Sequence, residues 1–470
     1  MLVIFSDVHL TDESTAFNVH PTAFENIIES KIKENAQRKK AEEIHFVFLG
    51  DIYDMQRTDW WLRKTDPEDR PWNGKIDKKI AMSNKTNVVE QQMSAVLDGI
   101  LETKSSRALT DMVRRLQEEE QIETRITYVV GNHDRYFYNF ESLQKKLRAN
   151  FEGIDIQFKN KLLAPEYGVL ARHGQEWDEN THGWEFSNKV LKNQSQLQRF
   201  DYDAYKVMAI GEVLTAELMS GLIYNLKKQL GLKKGSNLKK NPDYKFWNNL
   251  KNVNNLRPIT DVFHWIEWFT HKESQQREYK KYNEALRQSI LDALKSTLNS
   301  KVAKLWDKMT LDILFHGDIT DSLAKLCWAI SKTKPDEFQE HLKMVLIILK
   351  LFNIDGNSAD KHTDGALSEW KDHQQAKDME DIQYVVYGHT HQAKRVYFSS
   401  DQNNKVRMYI NTGTFLPLIQ RTHDKKGFST DYRMNIAFFS NPREDRDGRL
   451  KSDHGPTVDL WEGIKRKIYE

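Results

Sequence analysis

Five short stretches of the chain end in side chains that could bind metal ions. Each begins with an apolar, β-rich run and ends in a polar cluster, which predicts a buried strand with chemistry at its end. The polar side chains are aspartates, histidines and one asparagine, a mixed oxygen and nitrogen set that suits manganese, iron or zinc. The stretches are MLVIFSDVHL at 1–10, FVFLGDIYD at 46–54, YVVGNHD at 128–134, VLARHGQEWD at 169–178 and YVVYGHTHQ at 384–392.

The first stretch places Asp7 and His9 two positions apart beyond an apolar run. Side chains at i and i+2 of an extended strand end share a face, so one oxygen and one nitrogen ligand should converge. Alone, such a pair is more often an ordinary polar strand end than half of a metal site. A helical pattern at 21–42 and a second strand at 44–50 then predict a β-α-β unit, whose crossover brings both strand ends to one sheet edge. Asp7, His9 and Asp51 are therefore expected to meet.

In this order, the stretches resemble the motifs of the calcineurin-like metallophosphoesterase superfamily: Asp-x-His, Gly-Asp-x-x-Asp, Gly-Asn-His-Asp, His-Gly and Gly-His-x-His. The resemblance implies an α/β (α+β) fold, a four-layer α/β/β/α sandwich built from 1–180 and 376–440. It implies a dinuclear-metal-dependent hydrolase that cleaves a phosphodiester or pyrophosphate bond by attack of a metal-bridging hydroxide. Two divalent ions are expected, manganese first, with iron or zinc as alternatives. By the family's pattern, Asp7, His9, Asp51 and His391 would bind one ion, and Asp51, Asn132, His173 and His389 the other.

The resemblance also implies roles for residues that are not metal ligands. His133 resembles the family's histidine that stabilises the phosphoryl oxygens or protonates the leaving group, and Asp134 would orient it. Asp54 is expected to steady a ligand rather than to bind metal itself. The candidates for substrate contacts are Trp60, Trp61 and Arg135.

The middle of the chain predicts a different architecture. From 181 to 375 the apolar residues recur at helical spacing, as in 207–222 and 290–305, and glycine and proline are sparse. This pattern predicts a large all-helical insertion, which would serve as a substrate cap or as a docking site for a protein partner. The closing part of the core follows at 376–440, and 441–470 is expected to be a charged C-terminal tail.

Two segments of the insertion have competing interpretations. Residues 227–251 interleave lysines with aromatic side chains, which predicts either a solvated hairpin between helices or a surface for an anionic substrate or nucleic acid. FHGDITD at 315–321 repeats the spelling Gly-Asp-x-x-Asp, but no further ligands stand beside it. It predicts a helix start, capped by Asp318 or Thr320, rather than a second metal site.

Composition narrows the function classes. The chain has 470 residues, 39% hydrophobic and 29% charged, with a formal net charge of +2, so no strong basic excess marks it as a nucleic-acid protein. A single cysteine, Cys327, excludes an intrachain disulfide. The longest apolar run, 344–352, is too short to span a membrane. Without a signal sequence before the first strand, the expected location is cytoplasmic.

The substrate is expected to be phosphorylated, with a nucleotide or nucleic acid among the candidates. A single core with a helical insertion before Gly-His-x-His is most similar to the UDP-2,3-diacylglucosamine pyrophosphatase group, although this insertion is far longer than that group's cap. A DNA nuclease of the same superfamily is the alternative enzyme. The alternative that is not an enzyme is a scaffold protein that uses the same fold to bind a partner.

Overall fold

The computed structural model describes residues 1–191, 197–233, 240–257, 261–273, 276–307, 319–333, 358–375, 382–400, 406–444 and 455–467. Within these ranges the protein is a mixed α/β protein. It has a seven-stranded mixed sheet, a second, five-stranded mixed sheet, a small two-stranded sheet and a helical region.

The strands and helices are numbered in chain order. The strands are β1 (Leu2–Phe5), β2 (Glu43–Leu49), β3 (Ile76–Asp77), β4 (Met82–Ser83), β5 (Glu123–Val129), β6 (Asp155–Lys159), β7 (Leu162–Ala164), β8 (Val169–Ala171), β9 (Tyr384–Tyr387), β10 (Lys394–Ser400), β11 (Val406–Asn411), β12 (Pro417–Arg421), β13 (Phe428–Ser440) and β14 (Thr457–Lys467). The α-helices are α1 (Glu29–Lys39), α2 (Trp60–Arg63), α3 (Thr86–Leu101), α4 (Lys104–Glu118), α5 (Tyr136–Asn139), α6 (Glu141–Asn150), α7 (Gly183–Glu185), α8 (Ile210–Val213), α9 (Ser220–Gln229), α10 (Pro242–Leu250), α11 (Val262–Glu273), α12 (Gln276–Asn299), α13 (Lys301–Asp307), α14 (Ile319–Lys332) and α15 (Ser358–Gln375).

The large sheet has the strand order β12-β13-β1-β2-β5-β6, with β14 paired to β13. Strands β1, β2, β5 and β6 are parallel, and Leu2 lies opposite His45 in the first pair. The predicted β-α-β unit is confirmed, although its helix opens with a π-helical segment, Ala23–Ile28, before α1. Because parallel strands end at one edge, the polar residues after β1, β2 and β5 lie side by side.

The second sheet has the order β10-β11-β9-β8-β7. Its strands β8 and β9 are parallel neighbours although more than 200 residues of sequence separate them, and Val169 lies opposite Tyr384. Both were predicted as strands that deliver histidines. Their parallel pairing brings His173 and the pair His389 and His391 to the same edge of this sheet.

Apolar side chains pack on both faces of each sheet. One buried cluster lies between the two sheets and includes Ile4, Val47, Val169 and Val386. The other face of the large sheet packs on helices through residues such as Ile32, Met93, Leu109 and Leu147. The outer face of the second sheet packs on α15 through Ala366 and Trp370.

The described residues from 183 to 375, here called the helical region, form helices and no strand. They have an apolar cluster of their own, which also includes Ile419 and Phe428 of the β12–β13 hairpin. Phe246 and Trp247, the aromatic residues that could have supported a nucleic-acid surface in 227–251, are buried in this cluster. The helix predicted after FHGDITD is confirmed as α14, whereas 315–318 and the apolar run 344–352 lie outside the described residues.

One helical stretch in the described part of the chain, Tyr202–Gln229, is long and apolar enough to cross a membrane by length and composition. Its most apolar window is 67% buried inside the protein, which is also how the core helix of a soluble protein looks. This finding is weak evidence for a membrane span.

The C-terminal segment departs from the sequence prediction. Residues 441–470 were expected to be a charged tail, but Thr457–Lys467 forms β14 and pairs with β13 along its whole length. The physical reason is a period-two pattern among the charges. Val458 and Leu460 pack against the cluster between the sheets, while Trp461 packs against the core on the opposite face.

Candidate metal centre

Each predicted ligand lies just after a strand, at the edge where the parallel strands of its sheet end. Asp7 and His9 follow β1, Asp51 follows β2, and Asn132 and His133 follow β5. The second sheet supplies His173 after β8 and the histidine pair after β9. Three groups of ligand atoms lie close enough to hold a metal ion: Asp7, His9 and His391; Asp51, His173 and His389; and His9, Asp54 and His133.

Five of these residues have left-handed backbone conformations, which residues other than glycine rarely adopt. The sequence argument expected Asp7 and His9 to converge as alternate residues of an extended strand. Instead β1 ends at Phe5 and both residues turn the chain. Such backbone costs of order 1–3 kcal/mol per residue and is concentrated at functional sites. The φ angles are 52° for Asp7, 49° for His9, 55° for Asp51, 67° for His389 and 59° for His391.

The first group of ligand atoms is buried and compact. The Nε2 atoms of His9 and His391 are 3.0 Å apart. Oδ1 of Asp7 lies 3.7 Å from the first and 3.4 Å from the second. Oδ1 of Asp7 is buried and has no hydrogen-bond partner among the described residues. Two imidazole nitrogens and one carboxylate oxygen therefore face one point, an arrangement that a cation would stabilise.

The second group centres on His173. Its Nδ1 donates to the carbonyl oxygen of Leu49 at 2.7 Å, which leaves Nε2 directed at Oδ2 of Asp51, 3.1 Å away. Nδ1 of His389 lies 3.0 Å from Oδ1 of Asn132, so the amide predicted as a ligand is also present. Burial alone would lower the pKa of His173, but the carboxylates of Asp51 and Asp7 raise it to about 10. The same negative charges would attract a metal cation.

Asp51 connects the two groups. Its Oδ2 lies 3.1 Å from Nε2 of His173 and 3.8 Å from Nε2 of His9, while Oδ1 accepts the backbone N–H of His133 at 2.8 Å. Burial alone would raise the pKa of Asp51, but the nearby His173 and His133 outweigh it and lower the pKa below its usual value. One ionised carboxylate thus stands between two sets of ligands.

The third group is better explained as a hydrogen-bond hub than as a third ion site. Oδ2 of Asp54 lies 2.8 Å from Nδ1 of His9 and 3.0 Å from Nδ1 of His133. An ionised carboxylate only accepts, so the hydrogen bond with Asp54 places the proton of His9 on Nδ1, and the His133 ring lies at ion-pair distance from the same oxygen. Asp54 thus contacts both His9, a predicted ligand, and His133.

The role expected of Asp134 is therefore corrected. Its carboxylate does not contact the His133 ring but accepts from the backbone N–H groups of Ile52 and Gly131 and from the Tyr128 hydroxyl. These three bonds brace the loops that follow β2 and β5. The pattern Gly-Asn-His-Asp suggested the wrong partner because adjacent side chains point apart, whereas Asp54 arrives from the neighbouring loop.

Two glycines are needed where the ligand loops approach each other. A Cβ on Gly131 would lie 2.3 Å from Oδ1 of Asp51, and a Cβ on Gly388 would lie 2.5 Å from Oδ2 of Asp7. Contacts below 3.0 Å require the neighbouring backbone or ligand to move. The motif glycines thus allow the carboxylates to sit directly against the next loop.

The residues expected to contact substrate make contacts inside the protein. Trp61 is fully buried and donates its indole N–H to the carbonyl of Met55, and Trp60 is half-buried against it. Arg135 is 3% exposed and forms a buried ion pair with Glu212 of α8. All three therefore contribute to packing between the core and its surroundings.

Three residues near the ligands were missed by the sequence analysis. Asp178, at the end of the fourth stretch, lies 3.4 Å from Nε2 of His389, and its position five residues after His173 was a usable signal. Arg57, three residues after Asp54, lies with its Nε 3.2 Å from that carboxylate. Arg257 donates to Nδ1 of His391 at 2.8 Å, and nothing in the helical pattern around it announced this contact.

The residues present fit divalent metal ions. The donor set is carboxylate, amide and imidazole, and Asp7 Oδ1 is a buried acceptor with no hydrogen-bond partner in the described ranges. The adjacent triads could bind metal ions whose identity the geometry does not fix. No model of a known protein family matches the chain, and no curated protein matches it.

Proposed function

We propose that this protein is a dinuclear-metal-dependent phosphohydrolase that cleaves a phosphodiester or pyrophosphate bond. The observation that carries the proposal is the pair of ligand groups joined by Asp51, with His133 held beside them by Asp54. The packing of helices on the outer faces of two stacked sheets supports the metallophosphoesterase sandwich that the motifs resemble.

The ligands divide into two sets in this proposal. One set is Asp7, His9, Asp51 and His391, and the other is Asp51, Asn132, His173 and His389. When bound, two divalent ions supply Lewis-acid stabilisation of the phosphoryl charge and a water of lowered pKa. The protein's part is to fix the ligands through outer contacts, as Leu49 does for His173 and Asp54 for His9.

His133 is the proposed proton donor and phosphoryl contact. With Nδ1 held by Asp54, its Nε2 is left for the substrate, and the residue is 8% exposed rather than sealed. Burial alone would lower the pKa of His133, but the carboxylates of Asp54 and Asp51 raise it. A protonated imidazole suits a group that neutralises phosphoryl charge or protonates the leaving oxygen.

The substrate remains a proposal at the level of class. The required phosphodiester or pyrophosphate bond occurs in nucleotides, in nucleic acids, and in nucleotide-sugar pyrophosphates of the kind cleaved by the UDP-2,3-diacylglucosamine pyrophosphatase group. A scaffold role is less well supported, because such a role needs neither the left-handed ligand residues nor the outer contacts that hold them.

The test compares wild-type protein with Asp51→Asn and with the surface control Asp98→Asn. After reconstitution with Mn²⁺, we expect two ions per wild-type chain and hydrolysis of bis(p-nitrophenyl) phosphate. The Asn variant at position 51 should lose the second ion and turnover, while the control keeps both. Normal turnover with two tightly bound ions in the Asp51 variant would overturn the assignment.

A substrate panel separates the alternatives. The wild-type protein is offered an aryl phosphomonoester, an aryl phosphodiester, a nucleotide-sugar pyrophosphate and single-stranded DNA. Activity confined to the pyrophosphate favours the hydrolase, whereas length-dependent cleavage of DNA favours the nuclease. Two bound ions without turnover on any compound would favour the scaffold.

A further inference from the structure

The imidazole of His389 has polar partners at both of its ring nitrogens. Nδ1 lies 3.0 Å from Oδ1 of Asn132, the amide expected to bind the same metal ion. Nε2 is hydrogen-bonded to Oδ2 of Asp178 at 3.4 Å and to Oγ1 of Thr181 at 3.3 Å. One ring nitrogen is therefore directed at the proposed metal centre, and the other at the turn that leads into the helical region.

These contacts select one tautomer of His389. An ionised carboxylate only accepts, so the hydrogen bond with Asp178 places the proton of the imidazole on Nε2. The hydroxyl of Thr181 donates to the carbonyl of Asp178 at 3.4 Å, which leaves its oxygen able to accept from the same N–H group. Nδ1 then carries no proton and faces the amide oxygen of Asn132. In the other tautomer, a proton between these two atoms would block both from a metal ion.

The turn that carries Asp178 holds this carboxylate in one orientation. Its Oδ1 accepts the backbone N–H of Asn180 at 2.9 Å. The backbone carbonyl of Asp178 accepts the N–H groups of Thr181 and His182, at 3.2 and 3.1 Å. Because Oδ1 is engaged within the turn, Oδ2 is the oxygen that remains for His389.

The helical region packs directly on this turn. The N–H of Gly211 in α8 donates to the carbonyl of Asn180 at 2.8 Å. A Cβ on Gly211 would lie 2.7 Å from that oxygen, so a larger residue could not approach as closely without a shift. Helix α15 also reaches the ligand, since the rings of His362 and His389 have centroids 5.5 Å apart. Two helices of this region therefore border the imidazole or the turn that holds it.

We infer that Asp178 and Thr181 are positioning residues that hold His389 in the tautomer able to bind metal, and that α8 fixes their turn. The inference rests on the proposed function for its metal centre, although the tautomer itself can be measured without metal. Metal-binding histidines commonly donate their outer N–H to a carboxylate, and such partners change metal affinity. Here the carboxylate belongs to the turn braced by α8, so the helical region sets the metal affinity of the second ligand group.

The first test measures the tautomer by NMR in metal-free protein labelled with ¹⁵N at histidine. Two-bond ¹H–¹⁵N correlation spectra are recorded at pH 8.5, well above the pKa of a free imidazole. The signals of His389, identified by their absence in His389→Gln, should show the proton on Nε2. In Asp178→Ala the proton should move to Nδ1, where the amide oxygen of Asn132 accepts it. Thr181→Val should shift the tautomer in the same direction but less, and Thr181→Ser, which keeps the hydroxyl, should match the wild type.

The second test measures metal affinity by competition with a fluorescent chelator for Mn²⁺. In Asp178→Ala, one of the two ions should bind roughly tenfold to a hundredfold more weakly. Gly211→Ala should show a smaller loss in the same direction, because it displaces the turn without changing a ligand. Gly221→Ala is the matched control in the helical region, since its Cβ would have no contact closer than 3.5 Å, and it should bind metal like the wild type.

The outcomes separate this inference from the proposed function. A proton that stays on Nε2 of His389 in Asp178→Ala would overturn the inference, whatever the metal affinity. If that variant does not fold, Thr181→Val and Gly211→Ala decide, and a wild-type tautomer with wild-type metal affinity in both would overturn it. A tautomer that depends on Asp178, in a protein whose wild type binds metal but hydrolyses no phosphate ester, would uphold the inference and overturn the proposed function.

Discussion

Asp54→Asn is the most informative single change, because one carboxylate oxygen holds both a proposed ligand and the proposed proton donor. Oδ2 of Asp54 lies within 3.0 Å of an imidazole nitrogen of both His9 and His133. Oδ1 accepts the backbone N–H groups of Gln56 and Arg57, both at 3.0 Å. An asparagine can keep its oxygen toward the backbone only by turning its NH₂ group toward two imidazole N–H groups.

The size of the effect follows from these contacts. Losing an outer partner of a ligating histidine costs about 10- to 100-fold in metal affinity, or about 1.4–2.8 kcal/mol. The loss at His133 is additional, since a misoriented imidazole cannot deliver its proton. We therefore expect turnover at saturating Mn²⁺ to stay at least about tenfold below that of the wild type.

The assay is a competition between the protein and a fluorescent chelator for Mn²⁺, followed by turnover measured at saturating metal. Asp98→Asn is the control, because that carboxylate is 54% exposed and pairs only with Lys146 among the described residues. If the Asp54 variant bound Mn²⁺ as tightly as the wild type, the proposed role of Asp54 in supporting metal binding would be refuted. If excess Mn²⁺ restored full turnover, Asp54 would hold His9 but not His133.

Three further predictions test other parts of the argument. Gly131→Ala places a methyl group 2.3 Å from Oδ1 of Asp51, so metal content should fall while circular dichroism stays native; Gly99→Ala, with no contact closer than 3.6 Å, should change neither. His133→Ala should lower turnover roughly 10²- to 10⁴-fold with metal content unchanged, and a parallel loss of metal would make His133 a ligand. Burial lowers the pKa of His45 from 6.5 to about 3, so the unfolded chain takes up a proton first as pH falls. Stability should then drop by about 1.4 kcal/mol per pH unit from 6.5 toward 3, and urea unfolding of His45→Gln should show a shallower decline.

The local parts of the fold could be predicted from the sequence. Apolar runs identified β1, β2, β5, β8 and β9, and the parallel β-α-β rule brought their polar ends together. Contacts between residues that are far apart in the sequence could not be predicted. Asp54 and His133 are 79 positions apart, and only the pairing of β2 with β5 places one loop over the other.

Two other features of the structure differ from the prediction: the backbone conformation of Asp7 and His9, and the C-terminal strand β14. Asp7 and His9 have left-handed φ angles, which are uncommon for any residue but glycine although aspartate and histidine adopt them more often than most, so the apolar run before them predicted an extended strand end instead. The strand β14 was hidden because its charged residues alternate with Val458 and Leu460, and charge content outweighed period two in the prediction. Likewise, the helical pattern predicts which residues pack together, but it does not predict which residue Arg257 contacts.

The helical region was expected to be a substrate cap or a docking site, and its contacts with the core argue that the two fold as one unit. Glu212 of α8 accepts from buried Arg135 and from the hydroxyl of Tyr136, directly after the third motif. Glu212→Gln should leave the arginine's charge without a counter-ion and destabilise the protein by about 3–5 kcal/mol. Urea unfolding measures the change, and Trp328→Ser, at a residue 67% exposed, is the control that should stay within about 0.5 kcal/mol.

The second sheet also depends on contacts with the helical region. Arg172, which immediately precedes His173, forms a buried ion pair with Glu369 of α15, and the same helix covers the outer face of that sheet. Excision of 181–375 would therefore remove the partners of two buried arginines and uncover one sheet face, and it should yield insoluble protein. A soluble, metal-loaded core after excision, or a Glu212→Gln variant with the wild-type unfolding midpoint, would show that the helical region is a detachable cap after all.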